Sequence, residues 1–283
     1  MQRLSGLVLV LTVGCSAANS AAVLENHGAQ ITRDSLGDVV KVQFRTHALP
    51  FTDSELTHFR NFPKLRDLSL HGTAVTDSGL VQLAGMKLNR LSLPDHLMTD
   101  VGLKHYLKAS NPKRRLNLGR WSITDQGLAH VKGLTMLDEL DLYPGWKITD
   151  EGMVLLKEMT SLKDLALPSQ VTDAGLIHVK EMSHLQKLVL PSRITDSGLI
   201  HIKEMTRLRA LILPSQITDT GLIHVQEMPH LQTLFLGREI TDAGLIHIKG
   251  LVTLKALYMY DTLVTDAGLV HLKKLEELQA LTL

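Results

Sequence analysis

Residues Val171 to Ser192 read VTDAGLIHVKEMSHLQKLVLPS, and from Ile194 the chain continues ITDSGLIHIKEMTRLRALILPS. Each passage opens with a Thr-Asp pair. Apolar residues follow at helical spacing, such as Leu199, Ile202 and Met205. An L-x-x-L-x-L segment closes the passage. In extended chain its alternate leucines share one side, and the residues between them face the other. A helix signal and a strand signal copied together define a repeat, and the repeat decides the fold.

The Thr-Asp pair recurs at Thr52, Thr76, Thr99, Thr124, Thr149, Thr172, Thr195, Thr218, Thr241 and Thr265. The leucine segment precedes it at Leu65-Leu68-Leu70 and Leu88-Leu91-Leu93, and continues to Leu278-Leu281-Leu283. Val39-Val42-Phe44 is a degenerate first copy, and Lys113-Leu116-Leu118 has lost its first apolar residue. The threonine hydroxyl is suited to accept from a free N–H at a helix start, and Asp in the first turn meets the positive end of the helix dipole. Gly stands three residues after Thr in every copy from Gly79 to Gly268; the first copy has Glu55. Gly there costs about 1 kcal/mol of helix stability relative to Ala. Its recurrence predicts that a side chain would collide with the neighbouring turn of chain.

One such unit cannot bury its leucines alone, whereas a stack can. Parallel strands lie about 4.8 Å apart and packed helices about 9 Å apart, so the stack is expected to curve, strands inside and helices outside. The fold class is α/β, a solenoid or horseshoe with a parallel concave sheet and convex helices. The chain resembles leucine-rich-repeat proteins, specifically the "TDAGL" repeats of exported bacterial proteins. These are similar in turn to the cysteine-containing repeats of F-box proteins, although the repeats here lack cysteine and no F-box segment is present. The resemblance covers residues 38–283, about ten to eleven repeats. It implies protein binding on the concave face and names no partner.

The N-terminus differs from the rest. MQRLSGLVLVLTVGCSAANSAA has Arg3, an apolar run from Leu4 to Val13, and then small residues. That layout is a secretory signal over 1–22, too short to remain as a membrane span. Cys15, the single cysteine, sits where the apolar run ends. The site resembles a bacterial lipobox, with Thr12 in place of its usual leucine, and implies lipidation of Cys15 and a lipid anchor. The other reading is a cut within Ser16 to Ala22 that discards Cys15. Residues 23–37 are expected to cap the first repeat. The sequence stops on strand residue Leu283, which opens self-association through that edge as one reading beside fraying or truncation.

The 283 residues are 44% hydrophobic, with 30 basic and 29 acidic side chains and a net charge of +1. That balance gives no field for nucleic acid. Lys108, Lys113, Arg114, Arg115 and Arg120 cluster but read as a solvated face. No nucleophile, phosphate-loop or dinucleotide motif is present. The chain therefore reads as a non-enzymatic binding module without a cofactor.

Eight histidines fall six residues after the repeat Thr: His58, His105, His130, His178, His201, His224, His247 and His271. Equivalent helix positions about 9 Å apart cannot share a metal that needs its ligands at about 2.1 Å. A metal- or pH-sensing role for this column is one alternative. An F-box-like adaptor role is another, which the export signal opposes.

On the concave face, the residues following the central leucines change along the chain. Ser69, Ser92, Asn117 and Asp141 give way to Ala166, Val189, Ile212, Phe235 and Tyr258. Val189, Ile212, Phe235 and Tyr258 are the expected contact patch, with Lys187, Tyr260 and Arg238 at its rim. Trp121, Trp146 and Tyr143, in adjacent irregular repeats, form a second candidate at the loop rim or plug the interior there.

Overall fold

A computed structural model describes residues 16–44, 50–110 and 112–283. Cys15 and most of the expected export signal lie outside the described residues. The chain divides into two compact units, 1–112 and 113–283. The division falls at the repeat whose first leucine is replaced by Lys113.

The first unit begins with helix over 16–26. Strand β1 (Ala29–Arg33) pairs antiparallel with β2 (Val39–Phe44), and β2 pairs parallel with β3 (Asp67–Ser69). Strand β4 (Arg90–Ser92) follows in parallel. Leu24 and Ala21 of the first helix are buried. Ser20 Oγ hydrogen-bonds His58 Nδ1 at 3.0 Å and accepts from Asn61 Nδ2 at 2.8 Å. Phe51 packs between Phe44 and Phe59, with ring centroids 4.3 and 5.9 Å away. Helix, hairpin and aromatic cluster together close the apolar side of the first repeat.

The second unit is an eight-stranded parallel sheet in sequence order. Its strands are β5 (Arg115–Asn117), β6 (Glu139–Asp141), β7 (Asp164–Ala166), β8 (Lys187–Val189), β9 (Ala210–Ile212), β10 (Thr233–Phe235), β11 (Ala256–Tyr258) and β12 (Ala280–Thr282). Their central leucines stand in register from Leu116 to Leu281. From Leu116 to Leu257 they are fully or almost fully buried. On the other side of each leucine row lie short helical segments, such as Asp173–Val179 (α) and Asp196–His201 (3-10). Leu199, Ile202 and Met205 point inward and are buried, as the helical spacing predicts.

The repeat signature joins each copy to the next. Asp173 Oδ1 accepts from Thr195 N–H at 2.8 Å, and its Oδ2 accepts from Thr195 Oγ1–H at 2.6 Å. The same pair of bonds links Asp150 to Thr172, Asp196 to Thr218, Asp219 to Thr241, and Asp242 to Thr265. Asp125 binds Thr149 alike, as Asp53 binds Thr76 in the first unit. The Thr oxygen is also a helix cap in several copies, accepting from Ala174 at Thr172 and from Thr220 at Thr218. The sequence expectation of a cap is thus met there, but the Asp does more than face its own helix dipole: it caps its successor's threonine.

This geometry accounts for the recurrent glycine. A Cβ on Gly198 would overlap the Asp173 carboxylate, and one on Gly244 would overlap that of Asp219. The expected collision is real, and its object is the preceding repeat's aspartate. Glu55 is tolerated in the first copy, where its own carboxylate accepts from Thr52 N–H at 2.8 Å. The link from Asp77 departs from the pattern. A 3-10 turn at Asp95–Leu97 precedes Thr99, and the buried Oδ1 of Asp77 has no hydrogen-bond partner.

Candidate binding surface

Each strand from β5 to β11 buries its central leucine and places its two flanking residues on the opposite, open face of the sheet; in β12, Leu281 is exposed. This face carries two rows. The first runs Arg115, Glu139, Asp164, Lys187, Ala210, Thr233, Ala256 and Ala280; the second runs Asn117, Asp141, Ala166, Val189, Ile212, Phe235, Tyr258 and Thr282. Charge is confined to β5–β8, and the aliphatic and aromatic side chains occupy β8–β11.

Strand register brings the expected patch together. Val189, Ile212, Phe235 and Tyr258 are successive neighbours across the ladder, each half-buried. Phe235 and Tyr258 stack with centroids 4.1 Å apart and planes 13° from parallel. Tyr260 continues the array, 6.1 Å from Tyr258, and is 54% exposed. In this stack each ring covers one face of the other, and the ring edges, the positive end of the aromatic quadrupole, line the open surface together with the Tyr hydroxyl. Arg238 at the rim reaches Asp261 at 3.3 Å.

Beside the patch, Glu139, Asp141, Tyr143, Asp164, Lys187 and Val189 line a groove of about 260 Å³. Glu139 pairs with Arg115 at 2.9 Å. Asp141 accepts from Asn117 Nδ2 at 2.7 Å and from Tyr143 N–H at 3.0 Å. Asp164 and Lys187 are register partners whose backbone N–H groups bond the preceding repeat, yet neither side chain makes a hydrogen bond or an ion pair among the described residues. At the edge, Asp138 accepts from Arg114 and lies 3.1 Å from Lys163 Nζ. Hydrogen bonds from Arg114 and Lys163 hold its carboxyl below the usual range. Two of the cations in the basic stretch, Arg114 and Arg115, are therefore neutralised by neighbours.

Of the rim candidates, Tyr143 is exposed and lines the groove, Trp146 is exposed, and Trp121 is half-buried. The exposure of Trp146 rules it out as an interior plug. The histidine column lies along the helical segments, His130 exposed and the other seven half-buried. Among the described residues no three His, Cys, Asp or Glu side chains gather closely enough to hold a metal ion. Burial, with Lys108 beside it, lowers the His105 pKa.

Sequence reasoning missed the groove. Asp141 reads there as one polar residue in a gradient, whereas Glu139 and Asp164 join it only through parallel register. The signal available was the charge at the position before each central leucine, which the gradient of the second row overshadows.

No protein-family model matches the chain, and no curated protein matches it. Solved structures do. An internalin (inlF) from Listeria monocytogenes is 22% identical over 79% of this chain and 69% of its own, with a TM-score of 0.55. The fold is a leucine-rich-repeat solenoid. An internalin C2 (inlC2) from the same organism matches at 18% identity over 88% of this chain and 87% of its own, with a TM-score of 0.45. At these identities the likeness concerns the leucine-rich-repeat fold alone.

Proposed function

We propose that the protein is a non-catalytic binding module that holds another protein against the open sheet face of its second unit. The observation that carries this reading is the Val189–Ile212–Phe235–Tyr258 run. It is four neighbouring apolar side chains on a solvent-facing sheet, extended by exposed Tyr260. Aromatic anchors within an apolar patch and a polar rim match the anatomy of protein interfaces. Lys187 and Arg238 supply rim contacts, and Tyr143 and Trp146 a secondary one.

The module is exported in this reading. Its signal lies at the N-terminus, and among the described residues no helix is long and apolar enough to cross a membrane. Of the two processing sites the sequence allows, the packing favours the one at Cys15, since Ser20 and Ala21 are built into the first unit. A lipid anchor there leaves the sheet face free.

The test is affinity capture from surface and exported proteins of the source organism, repeated with Phe235→Asp and Tyr258→Asp. A partner retained by the wild type and lost from both variants, at unchanged melting temperature, supports the reading. A partner held equally by all three overturns it.

A further inference from the structure

The open face is polarised, and this carries the function one step further. We infer that the partner is a polypeptide presenting a Lys or Arg side chain about 16 Å from its apolar anchor, with the cation seated in the groove beside Asp164. The inference rests on the proposed protein-binding role of the same face. Three observations converge. First, the groove is continuous with the aromatic patch through Val189, which belongs to both. Second, its carboxylates Glu139, Asp141 and Asp164 outnumber its one cation, Lys187. Third, their partners leave one of them free. Glu139 is met by Arg115 and Asp141 by Asn117, whereas the Asp164 carboxylate makes no hydrogen bond or ion pair among the described residues. A cation entering from solvent therefore finds an uncompensated acceptor, with the Tyr143 ring at the groove wall for its aliphatic stem.

The spacing follows from the sheet. Asp164 is on β7 and Phe235 on β10, three strand separations of about 4.8 Å across the sheet and two residues of about 3.3 Å along the strand, or about 16 Å in all. A partner segment crossing the strands in extended form spans that distance in about five residues. A helical segment needs about eleven. No charge interrupts β9–β11 on this face, so the partner's apolar end meets no competing ion pair there.

The experiment selects random 16-residue peptides displayed on phage against the full chain and measures the enriched peptides by fluorescence anisotropy. Enrichment of an aromatic or aliphatic cluster with Lys or Arg about five residues away in extended sequences, or about eleven in helical ones, is expected. Asp164→Lys should weaken such a peptide about tenfold, and replacing its basic residue by Glu should restore binding to Asp164→Lys. Because the Asp164 carboxylate makes no hydrogen bond or ion pair among the described residues, this variant is expected to fold as the wild type does. If enriched peptides lose binding on Tyr258→Asp but not on Asp164→Lys, the cation site is wrong and the aromatic docking face survives. If neither substitution changes affinity, or no peptide is enriched, both are overturned.

Discussion

The link between glycine and aspartate gives the sharpest test of the architecture. In Gly198→Ala the new methyl would fall on the Asp173 carboxylate, whose Cγ and Cβ lie 2.7 and 3.2 Å from the ideal Cβ position. Asp173 must swing away, releasing Thr195 N–H and Oγ1–H. Hydrogen bonds to a charged group contribute about 1.5–3 kcal/mol each. Solvent screening at this half-exposed position favours the low end, about 3 kcal/mol for the pair. Alanine returns about 1 kcal/mol of helix propensity. The net loss is about 2 kcal/mol, or about 4–8 °C in melting temperature for a cooperative unit of this size. The decisive measurement is a double-mutant cycle by urea unfolding. With Asp173→Ala the carboxylate is absent, the remaining Cβ yields by a few tenths of an ångström, and Gly198→Ala should become neutral or stabilising. Equal costs in both backgrounds would refute the reasoning, since the methyl would then be colliding with something other than the carboxylate.

Two further outcomes follow from the same contacts. The Asp242 carboxyl is held below its usual range by the Thr265 N–H and hydroxyl, then by Gly268 N–H and nearby His271. A depressed folded pKa gives stability that is present above the unfolded value of about 3.9 and lost as pH falls through the folded one. Asp242→Asn should therefore be less stable than wild type at pH 7, with the gap closing below about pH 4; a gap constant from pH 7 to 2 contradicts this. A chain beginning at residue 23 lacks Ser20 and its bonds to His58 and Asn61, and should be about 2 kcal/mol less stable than one beginning at 16. Identical unfolding curves would show that the first helix is not part of the folded unit.

Much of this was legible because the repeat restates each structural rule. Leucine alternation placed the strands, and copying fixed their parallel register. Val189, Ile212, Phe235 and Tyr258 were readable as one patch for the same reason: equivalent positions in successive copies become neighbours. What escaped was whatever depends on side-chain direction across copies. The aspartate reads locally as a helix-start residue, and only the stack reveals that its carboxylate serves the following threonine. The Phe235–Tyr258 face-to-face arrangement, which bears on the kind of ligand, is a rotamer outcome with no sequence signal. The free state of Asp164 depends on where Lys187 and Arg115 reach, and strand spacing leaves that open.

The Asp–Thr–Gly linkage also bears on how such a chain changes length. The functional cassette runs from one copy's aspartate to the glycine of the next, straddling the visible boundary between copies. Excising the 23 residues from Asp173 through Thr195 joins Thr172 directly to Asp196, and leaves Asp150 followed, one period on, by a complete pair of threonine donors and a small neighbour. Duplicating the segment does the same in reverse. Copy number can therefore drift by whole periods without a mismatched seam, and the open face lengthens or shortens one strand at a time.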